Sequence, residues 1–315
     1  MTKYRHRLPQ LSEEVFLTDG GIETTLIFHE GFDLPHFAAF HLLRNEEGRE
    51  GLRRYFRTYA GLAVKYGIGC VLESPTWRAS ADWGEKLGYS EAELAEANRQ
   101  AIRLLEEIRA ELESETSPMV ISGCVGPRGD GYDPGMMMSA AAARDYHRAQ
   151  IRTFRDTAAD LVTAITMTYV EEAMGIAGAA AEEGMPVVIS FTVETDGRLP
   201  TGHSLGEAIE AVDRATGEGP AYYMVNCAHP THLAGALTGA GPWARRIRGL
   251  RVNASSKSHA ELNDSAELDE GDPVALGREH RQLFESLPAV SVLGGCCGTD
   301  HRHVEQICKA RLGRP

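Results

Sequence analysis

Three cysteines have the residue type and spacing needed for metal chemistry. Cys296 and Cys297 are adjacent and follow an apolar run that ends at Gly294-Gly295, and Cys227 follows a second apolar run. Neighbouring cysteines rarely bond to each other, because the small ring that would form strains the disulfide geometry. Two thiolates on one metal ion are easier to accommodate, although small buried residues that pack as weak hydrophobes give the same pattern. The cysteine pair alone leaves both interpretations open.

Short apolar runs alternate with longer helical segments along the chain, and eight such pairs can be counted. Near-continuous apolar strands joined by helices are typical of a parallel sheet that is covered on both faces. We predict strands at residues 15–18, 70–73, 119–122, 161–166, 187–192, 221–225, 250–253 and 290–293. We predict helices near residues 47–66, 91–112, 139–159, 170–183, 204–215, 231–237, 273–287 and 300–312.

Eight strand–helix pairs in 315 residues favour an α/β fold of the closed (β/α)8 type, a TIM barrel. A dinucleotide-binding sheet loses its main support, because no Gly-x-Gly-x-x-Gly follows the first predicted strand. There is no Pro- or Ser-rich linker, so we expect a single domain over residues 1–315. Ser90 is predicted to cap the helix that follows it.

Polar, aromatic and glycine residues cluster just after the predicted strands. A barrel places the carboxyl ends of all its strands on one face, so these residues should line one pocket. The candidates, in chain order, are Asp19, Gly20, Gly21, Glu73, Trp77, Tyr132, Tyr169, Glu194 and Asn226. Eight independent turns would explain the glycines, but they would not explain carboxylates and aromatic rings at the same positions.

The barrel also predicts that three cysteines meet. Cys227 ends the sixth strand and Cys296-Cys297 follow the eighth, so their sulfurs should approach one ion across a narrow mouth. Zinc prefers thiolates, and a site with three protein ligands leaves a fourth position open for catalysis. The other cysteines fit less well. Cys70 begins a strand at the opposite end, Cys308 lies in the last helix, and Cys124 follows the third strand without a partner.

Composition excludes several functions. The net charge of −13 argues against nucleic-acid binding, which requires a basic face. The N-terminus lacks the apolar segment of a signal peptide, and no apolar run is long enough to span a membrane. We therefore expect a cytoplasmic protein with small-molecule partners. The oligomeric state is left open, with a homo-oligomer as one alternative.

Four motifs, spread in order over nearly the whole chain, carry a family resemblance. They are Asp19-Gly20-Gly21, Gly126-Pro127, Asn226-Cys227 with Pro230, and Gly294-Gly295-Cys296-Cys297-Gly298. With them the chain resembles the homocysteine S-methyltransferase family. The resemblance implies a (β/α)8 barrel in which Cys227, Cys296 and Cys297 hold Zn²⁺. It also implies that a thiol, homocysteine by default, attacks a methyl group on an onium donor and gives methionine.

This chemistry assigns roles to the pocket residues. Only a thiolate is a good nucleophile, and coordination to a divalent cation deprotonates the thiol. Aromatic faces and carboxylates stabilise an onium cation, which makes Trp77, Tyr132, Tyr169, Glu73 and Glu194 candidates. We expect Asp19 and the Gly20-Gly21 backbone to position the thiol acceptor, with Asn226 beside them.

One departure from the family pattern concerns the acceptor. The family usually carries Glu-Thr at the end of the fourth strand, where the glutamate helps to hold the amino group of homocysteine, and this chain has Ile165-Thr166. An isoleucine cannot bind an ammonium group. Glu73 or Glu194 replaces the carboxylate, or the acceptor is not homocysteine. The alternatives are alkyl transfer to or from a different thiol or selenol, and a non-catalytic barrel that binds zinc or a thiol.

Overall fold

Eight parallel strands close into a barrel, so the predicted (β/α)8 fold is confirmed. The computed structural model describes residues 2–237, 240–263 and 267–314. Each strand pairs with the next along the chain, and the eighth pairs with the first. The strands are β1 (Phe16–Leu17), β2 (Gly69–Glu73), β3 (Met119–Val125), β4 (Leu161–Met167), β5 (Val187–Phe191), β6 (Tyr222–Ala228), β7 (Ile247–Val252) and β8 (Val292–Gly295).

Helices follow the strands, and several short ones were not predicted. The α-helices are α1 (Ile22–Thr24), α2 (Glu46–Tyr66), α3 (Ala81–Lys86), α4 (Glu91–Leu112), α5 (Ala140–Arg155), α6 (Val170–Glu182), α7 (Leu205–Thr216), α8 (Pro230–Ala236), α9 (His259–Asn263), α10 (Pro273–Ser286) and α11 (His301–Leu312). A π-helical turn, Thr25–His29, continues α1. Short 3-10 segments lie at Pro9–Leu11, Pro35–Phe37, Ala39–Arg44 and Pro242–Arg246.

Local signals in the sequence explain where the long helices begin. The predicted cap of α4 is confirmed, because Ser90 accepts a hydrogen bond from the Glu93 amide while the Glu93 side chain reaches back to Ser90. Asn45 caps α2 by accepting from the Gly48 amide. These caps satisfy amides that have no partner within the helix.

The apolar core leaves the carboxyl ends of the strands free for chemistry. Residues from the first half of the strands, such as Phe16, Val71, Val120 and Leu161, pack inside the barrel. A larger cluster fills the space between strands and helices. Within the described part of the chain, no helix combines the length and apolar character needed to cross a membrane.

Candidate metal and substrate site

A cavity of about 340 Å³ opens at the carboxyl ends of the strands. The residues that line it come from loops after most of the strands, as a barrel requires. Those used below are Asp19, Gly20, Gly21, Glu23, Phe28, Phe37, Glu73, Trp77, Arg78, Cys124, Asp130, Tyr132, Ile165, Thr166, Cys227, Arg251, Asp269, Cys296 and Cys297. Most of the pocket predicted from the strand ends is therefore brought together.

The three candidate metal ligands meet in this cavity. The sulfur atoms of Cys227, Cys296 and Cys297 all lie within 4.8 Å of one another. Cys227 and Cys296 are joined by a disulfide, and Cys297 Sγ lies 3.9 Å from Cys227 Sγ. Among the described residues, no other group of three histidine, cysteine or acidic side chains is close enough to share an ion.

Close packing explains the two glycines before the cysteine pair. A Cβ at Gly294 would collide with the Thr18 hydroxyl, and a Cβ at Gly295 would collide with the Thr299 side chain. Helix α1 is attached to the loop after β8, since the Gly298 amide donates to Thr24 Oγ1 at 3.2 Å. Only glycine lets β8 end this close to the segment that follows β1.

Backbone strain marks the ends of β4 and β6. Thr166 and Cys227 have φ values of 66° and 54°, in the left-handed region that a β-branched residue such as Thr166 rarely adopts. Asn226 stabilises Thr166: its Oδ1 accepts from the Thr166 amide at 2.9 Å, and its Nδ2 donates to Thr166 Oγ1 at 2.9 Å. Such conformations cost about 1–3 kcal/mol each and concentrate at functional sites.

Tyr132 and His259 support the cysteines from one side. The Tyr132 hydroxyl lies 3.3 Å from Cys297 Sγ, and its ring stacks on the imidazole of His259 at 3.9 Å. His259 Nε2 donates to the Cys227 carbonyl at 2.7 Å, and its Nδ1 lies 3.1 Å from a Glu194 carboxylate oxygen. Burial raises the pKa of the Cys297 thiol, and the Tyr132 hydrogen bond opposes that rise.

Arg251 binds two of the predicted substrate carboxylates. This buried guanidinium donates to Asp19 at 2.5 Å and forms a second short ion pair with Glu73. It also donates to the carbonyl of Gly295 at 3.1 Å. Burial raises the pKa of both carboxyl groups, and the charge of Arg251 opposes the rise. Asp19 and Glu73 are thus paired within the protein, a relation that the sequence did not reveal.

Glu23 is a cavity residue that sequence reasoning missed. It lies in α1, and its carboxylate makes no hydrogen bond to another described side chain. Burial raises the pKa of this carboxyl group to about 7. Its position two residues beyond the Asp19-Gly20-Gly21 motif was the available signal, but no pattern distinguished it from a solvated charge.

Trp77 forms an aromatic wall of the cavity. Glycines 126 and 131 leave room for its indole, since a Cβ at either would meet the ring. The guanidinium of Arg78 stacks 4.0 Å from the Trp77 ring and 3.7 Å from the Trp83 ring. The indole Nε1 of Trp77 has no hydrogen-bond partner in the described part of the protein.

Three predicted pocket residues do not line the cavity. The Tyr169 hydroxyl accepts a hydrogen bond from the Met138 amide at 3.1 Å, and the Glu194 carboxylate contacts His259. Asn226 lies behind the wall, where it holds Thr166. His229 caps α8 by accepting from the Thr231 amide. Of the weaker cysteine candidates, Cys124 lines the cavity, while Cys70 and Cys308 are buried elsewhere.

The fold and site define a class of protein, a (β/α)8 barrel with a cysteine cluster in a cavity at the carboxyl ends of its strands. The family model described as homocysteine S-methyltransferase matches residues 16–311. The chain therefore belongs to the homocysteine S-methyltransferase family, and it is an S-methyltransferase.

Individual relatives agree with this assignment. The chain is 24% identical to homocysteine S-methyltransferase 4 of Zea mays, over 93% of this chain and 88% of that protein. It is 25% identical to methionine synthase of Mycobacterium leprae (strain TN), over 96% of this chain but only 25% of that longer protein.

Solved structures share the fold. The oxidized form of the homocysteine methyltransferase MmuM from Escherichia coli superimposes with a TM-score of 0.75 at 18% identity, covering 98% of this chain and 100% of that one. The metallated form of MmuM gives a TM-score of 0.73 with the same identity and coverage.

Proposed function

We propose that this protein transfers a methyl group from an onium donor to homocysteine in a Zn²⁺-dependent reaction that yields methionine. The observation that carries the proposal is the meeting of three cysteine sulfurs in the cavity at the carboxyl ends of β6 and β8. Family membership supports homocysteine as the acceptor. The metal and the class of donor rest on the chemistry of the site.

The donor set fits zinc. Three cysteine sulfurs in a partly enclosed cavity match the thiolate preference of Zn²⁺ and leave one position for a substrate. Cys227, Cys296 and Cys297 would hold the ion, which requires Cys227 and Cys296 in their reduced form. When bound, Zn²⁺ would keep the acceptor sulfur as a nucleophilic thiolate at neutral pH.

Neighbouring side chains would hold the cysteine ligands in position. The Tyr132 hydroxyl is placed to donate to the Cys297 thiolate, which stabilises the negative charge on that sulfur. His259 fixes the strained Cys227 backbone through its carbonyl, and Glu194 orients His259 from the other ring nitrogen. We therefore assign Glu194 a supporting role rather than direct contact with substrate.

The aromatic side of the cavity would accept the methyl donor. The Trp77 ring faces the cavity, and the quadrupole of an indole attracts sulfonium or quaternary ammonium groups. Asp19 and Glu73 would shape the cavity wall through their ion pairs with Arg251. The Gly20-Gly21 backbone allows the start of α1 to pack against the loop that carries Cys296 and Cys297. Tyr169 contributes indirectly, because its hydroxyl holds the loop at Met138.

A second candidate function is transfer to a thiol or selenol without an amino group. Two observations favour it. Ile165, which lines the cavity, offers no charge, and Asp19 and Glu73 are already bound by Arg251. An ammonium group bound against Ile165 would lack a carboxylate partner at that position and would incur a large desolvation cost.

The metal is tested by elemental analysis of protein purified under reducing conditions. We expect about one zinc per chain, because three thiolates and a substrate position complete one tetrahedral site. Cys227→Ser, Cys296→Ser and Cys297→Ser should each lose most of it. Cys308→Ala, a buried cysteine in α11, is the matched control and should retain it. Full zinc in all three site variants would refute the metal site.

The reaction is tested by product formation. Zinc-loaded protein is incubated with homocysteine and, in turn, S-methylmethionine, S-adenosylmethionine or betaine. We expect methionine with at least one donor. If none is formed, a screen of other thiols and selenols with the same donors decides between the second candidate and a barrel that binds without turnover.

A further inference from the structure

We propose that Glu23 binds the ammonium group of the thiol acceptor and so determines acceptor specificity. The inference rests on the proposed function and adds a residue whose role is not explained by the metal site. Glu23 lines the cavity together with the cysteines, and it is neither a candidate metal ligand nor a partner of Arg251.

The position of Glu23 is fixed by the residues on either side of it. The Gly21 amide donates to the Thr299 carbonyl at 2.9 Å, and Thr24 Oγ1 accepts from the Gly298 amide at 3.2 Å. Both partners belong to the loop that carries the cysteine pair. The short helix α1 is thereby attached to the cysteine loop, and Glu23 lies between the two points of attachment.

Four other acidic residues of the cavity have cationic partners. Asp19 and Glu73 share Arg251. Asp130 lies 3.5 Å from Arg78, and Asp269 lies 3.1 Å from Lys257. The Glu23 carboxylate, in contrast, has no hydrogen bond to any other side chain that the structure describes. A partly buried carboxylate without a partner is costly, and a cationic ligand removes that cost.

Two cations are chemically available, the ammonium of the acceptor and the onium of the donor. The acceptor sulfur must reach the cysteine cluster, and its ammonium lies on the same short carbon chain, so it contacts the wall beside the cysteine loop. The donor approaches the sulfur from the side away from the cysteines. Phe28 and Phe37, which are 47% and 50% exposed, mark that outer side. Because α1 is attached to the cysteine loop, we assign Glu23 to the acceptor and not to the donor.

The test compares wild type with Glu23→Gln, which removes the charge and keeps the shape. Both proteins are loaded with zinc and assayed with homocysteine and with 4-mercaptobutyrate, which lacks only the amino group. We expect the KM for homocysteine to rise ten- to hundredfold in the variant, the size of one charge-assisted hydrogen bond. The KM values for 4-mercaptobutyrate and for the methyl donor should stay within about threefold of wild type, since neither contact involves the ammonium.

Two further variants control for charge and for folding. Asp130→Asn removes one negative charge from the same cavity at a residue already paired with Arg78, and it should leave the homocysteine KM within about threefold of wild type. Glu23→Asp keeps the charge on a shorter chain and should recover part of the lost affinity. Zinc content and far-UV circular dichroism identify any variant that has not folded.

Several outcomes would overturn the role of Glu23. One is a wild-type homocysteine KM in Glu23→Gln while the wild-type enzyme turns homocysteine over, which leaves the proposed function standing. Another is a rise in the donor KM alone. If wild type turns over no substrate, the proposed function fails separately. Calorimetric titration of homocysteine into zinc-loaded wild type and zinc-loaded Glu23→Gln then tests the role of Glu23. Equal affinities would refute the inference.

Discussion

Arg251 organises the charged groups of the cavity, although no motif in the sequence indicated it. Its guanidinium contacts Asp19, Glu73 and the Gly295 carbonyl, so it links the ends of β1, β2 and β8 to β7. Burial alone would lower the pKa of Arg251, but the charges of Asp19 and Glu73 outweigh it and raise the pKa. Arg251 therefore remains charged, and its charge opposes the rise in pKa that burial causes at Asp19 and Glu73.

Removal of Arg251 should be severely destabilising. Arg251→Met leaves Asp19 and Glu73 buried without a cation, which typically costs about 3–5 kcal/mol. Adding Asp19→Asn and Glu73→Gln to that variant should recover a large part of the loss, because the remaining groups are neutral. Urea unfolding of the three proteins measures the differences in free energy.

Arg53→Met provides the comparison for that experiment. Arg53 pairs with Glu46 and Glu107, both of which are exposed, so its loss should cost less than about 1 kcal/mol. If Arg251→Met were no more destabilising than Arg53→Met, the triplet would not be a structural requirement.

At the residue scale, the sequence predicted the chemistry of the site better than its electrostatics. The cysteines and Asp19-Gly20-Gly21 were found because they form distinctive motifs directly after strands. Arg251 was missed because it lies within the predicted strand at residues 250–253, where a charged side chain has no local signal. Glu194 was expected in the pocket, but the turn after β5 directs its carboxylate to His259.

At the scale of elements, buried parallel strands and long amphipathic helices were predictable. Every residue of β3, β4 and β6 is buried, so each appears in the sequence as a mainly apolar run. The short helices α1, α3 and α9 were not predicted. Helices of this length are unstable in isolation and form only when tertiary contacts hold them. Glu23 was overlooked for the same reason, since α1 was not foreseen.

Helix α10 contains a histidine that should make the protein sensitive to acid. His280 is buried against Phe284, and neither ring nitrogen has a hydrogen-bond partner among the described residues. Burial lowers the pKa of His280 to about 3. Below its ordinary pKa of about 6.5, the unfolded chain binds a proton at this position and the folded protein does not. The free energy of unfolding should therefore fall as the pH drops from 6.5 towards 3.

His280→Met removes the titrating imidazole and fills the same buried space with an apolar side chain. When the pH is lowered from 7.5 to 5, the free energy of unfolding of wild type should fall by about 2 kcal/mol more than that of the variant, because only wild type has the histidine with the lowered pKa. Urea unfolding at the two pH values measures it. His301→Gln changes an exposed histidine on α11 and should show no comparable improvement. An equal pH dependence in wild type and His280→Met would contradict a neutral, buried His280.

At the scale of the whole molecule, the contacts that close and fill the barrel lie away from the cysteine cluster. The barrel closes through hydrogen bonds between every pair of neighbouring strands, and residues from most of the strands, such as Phe16, Val120 and Leu161, fill its interior. The three cysteines connect only the carboxyl ends of β6 and β8, at the opposite end from that packing. A chain of 315 residues also buries enough apolar surface to fold without a metal.

Chelation should consequently abolish activity before it affects the fold. After treatment with a chelator under reducing conditions, we expect methyl transfer to be lost and the far-UV circular dichroism spectrum to be unchanged. The thermal midpoint should fall modestly, because a ligand that binds only the folded state adds stability by mass action. With an unfolding entropy of about 2.1 cal/mol/K per residue, each kcal/mol of lost stability corresponds to roughly 1.5 °C in a chain of 315 residues.

Added Zn²⁺ should restore both activity and midpoint in the chelated wild type. The same treatment of Cys297→Ser shows whether the fall in thermal midpoint comes from loss of the metal at the cysteine cluster. This variant lacks one sulfur of the cluster, so the chelator should produce little further change in its midpoint. Cooperative loss of the far-UV signal on chelation of wild type would show that the metal is structural. The barrel would then need the link between β6 and β8 to stay closed, although both strands also pair with β7.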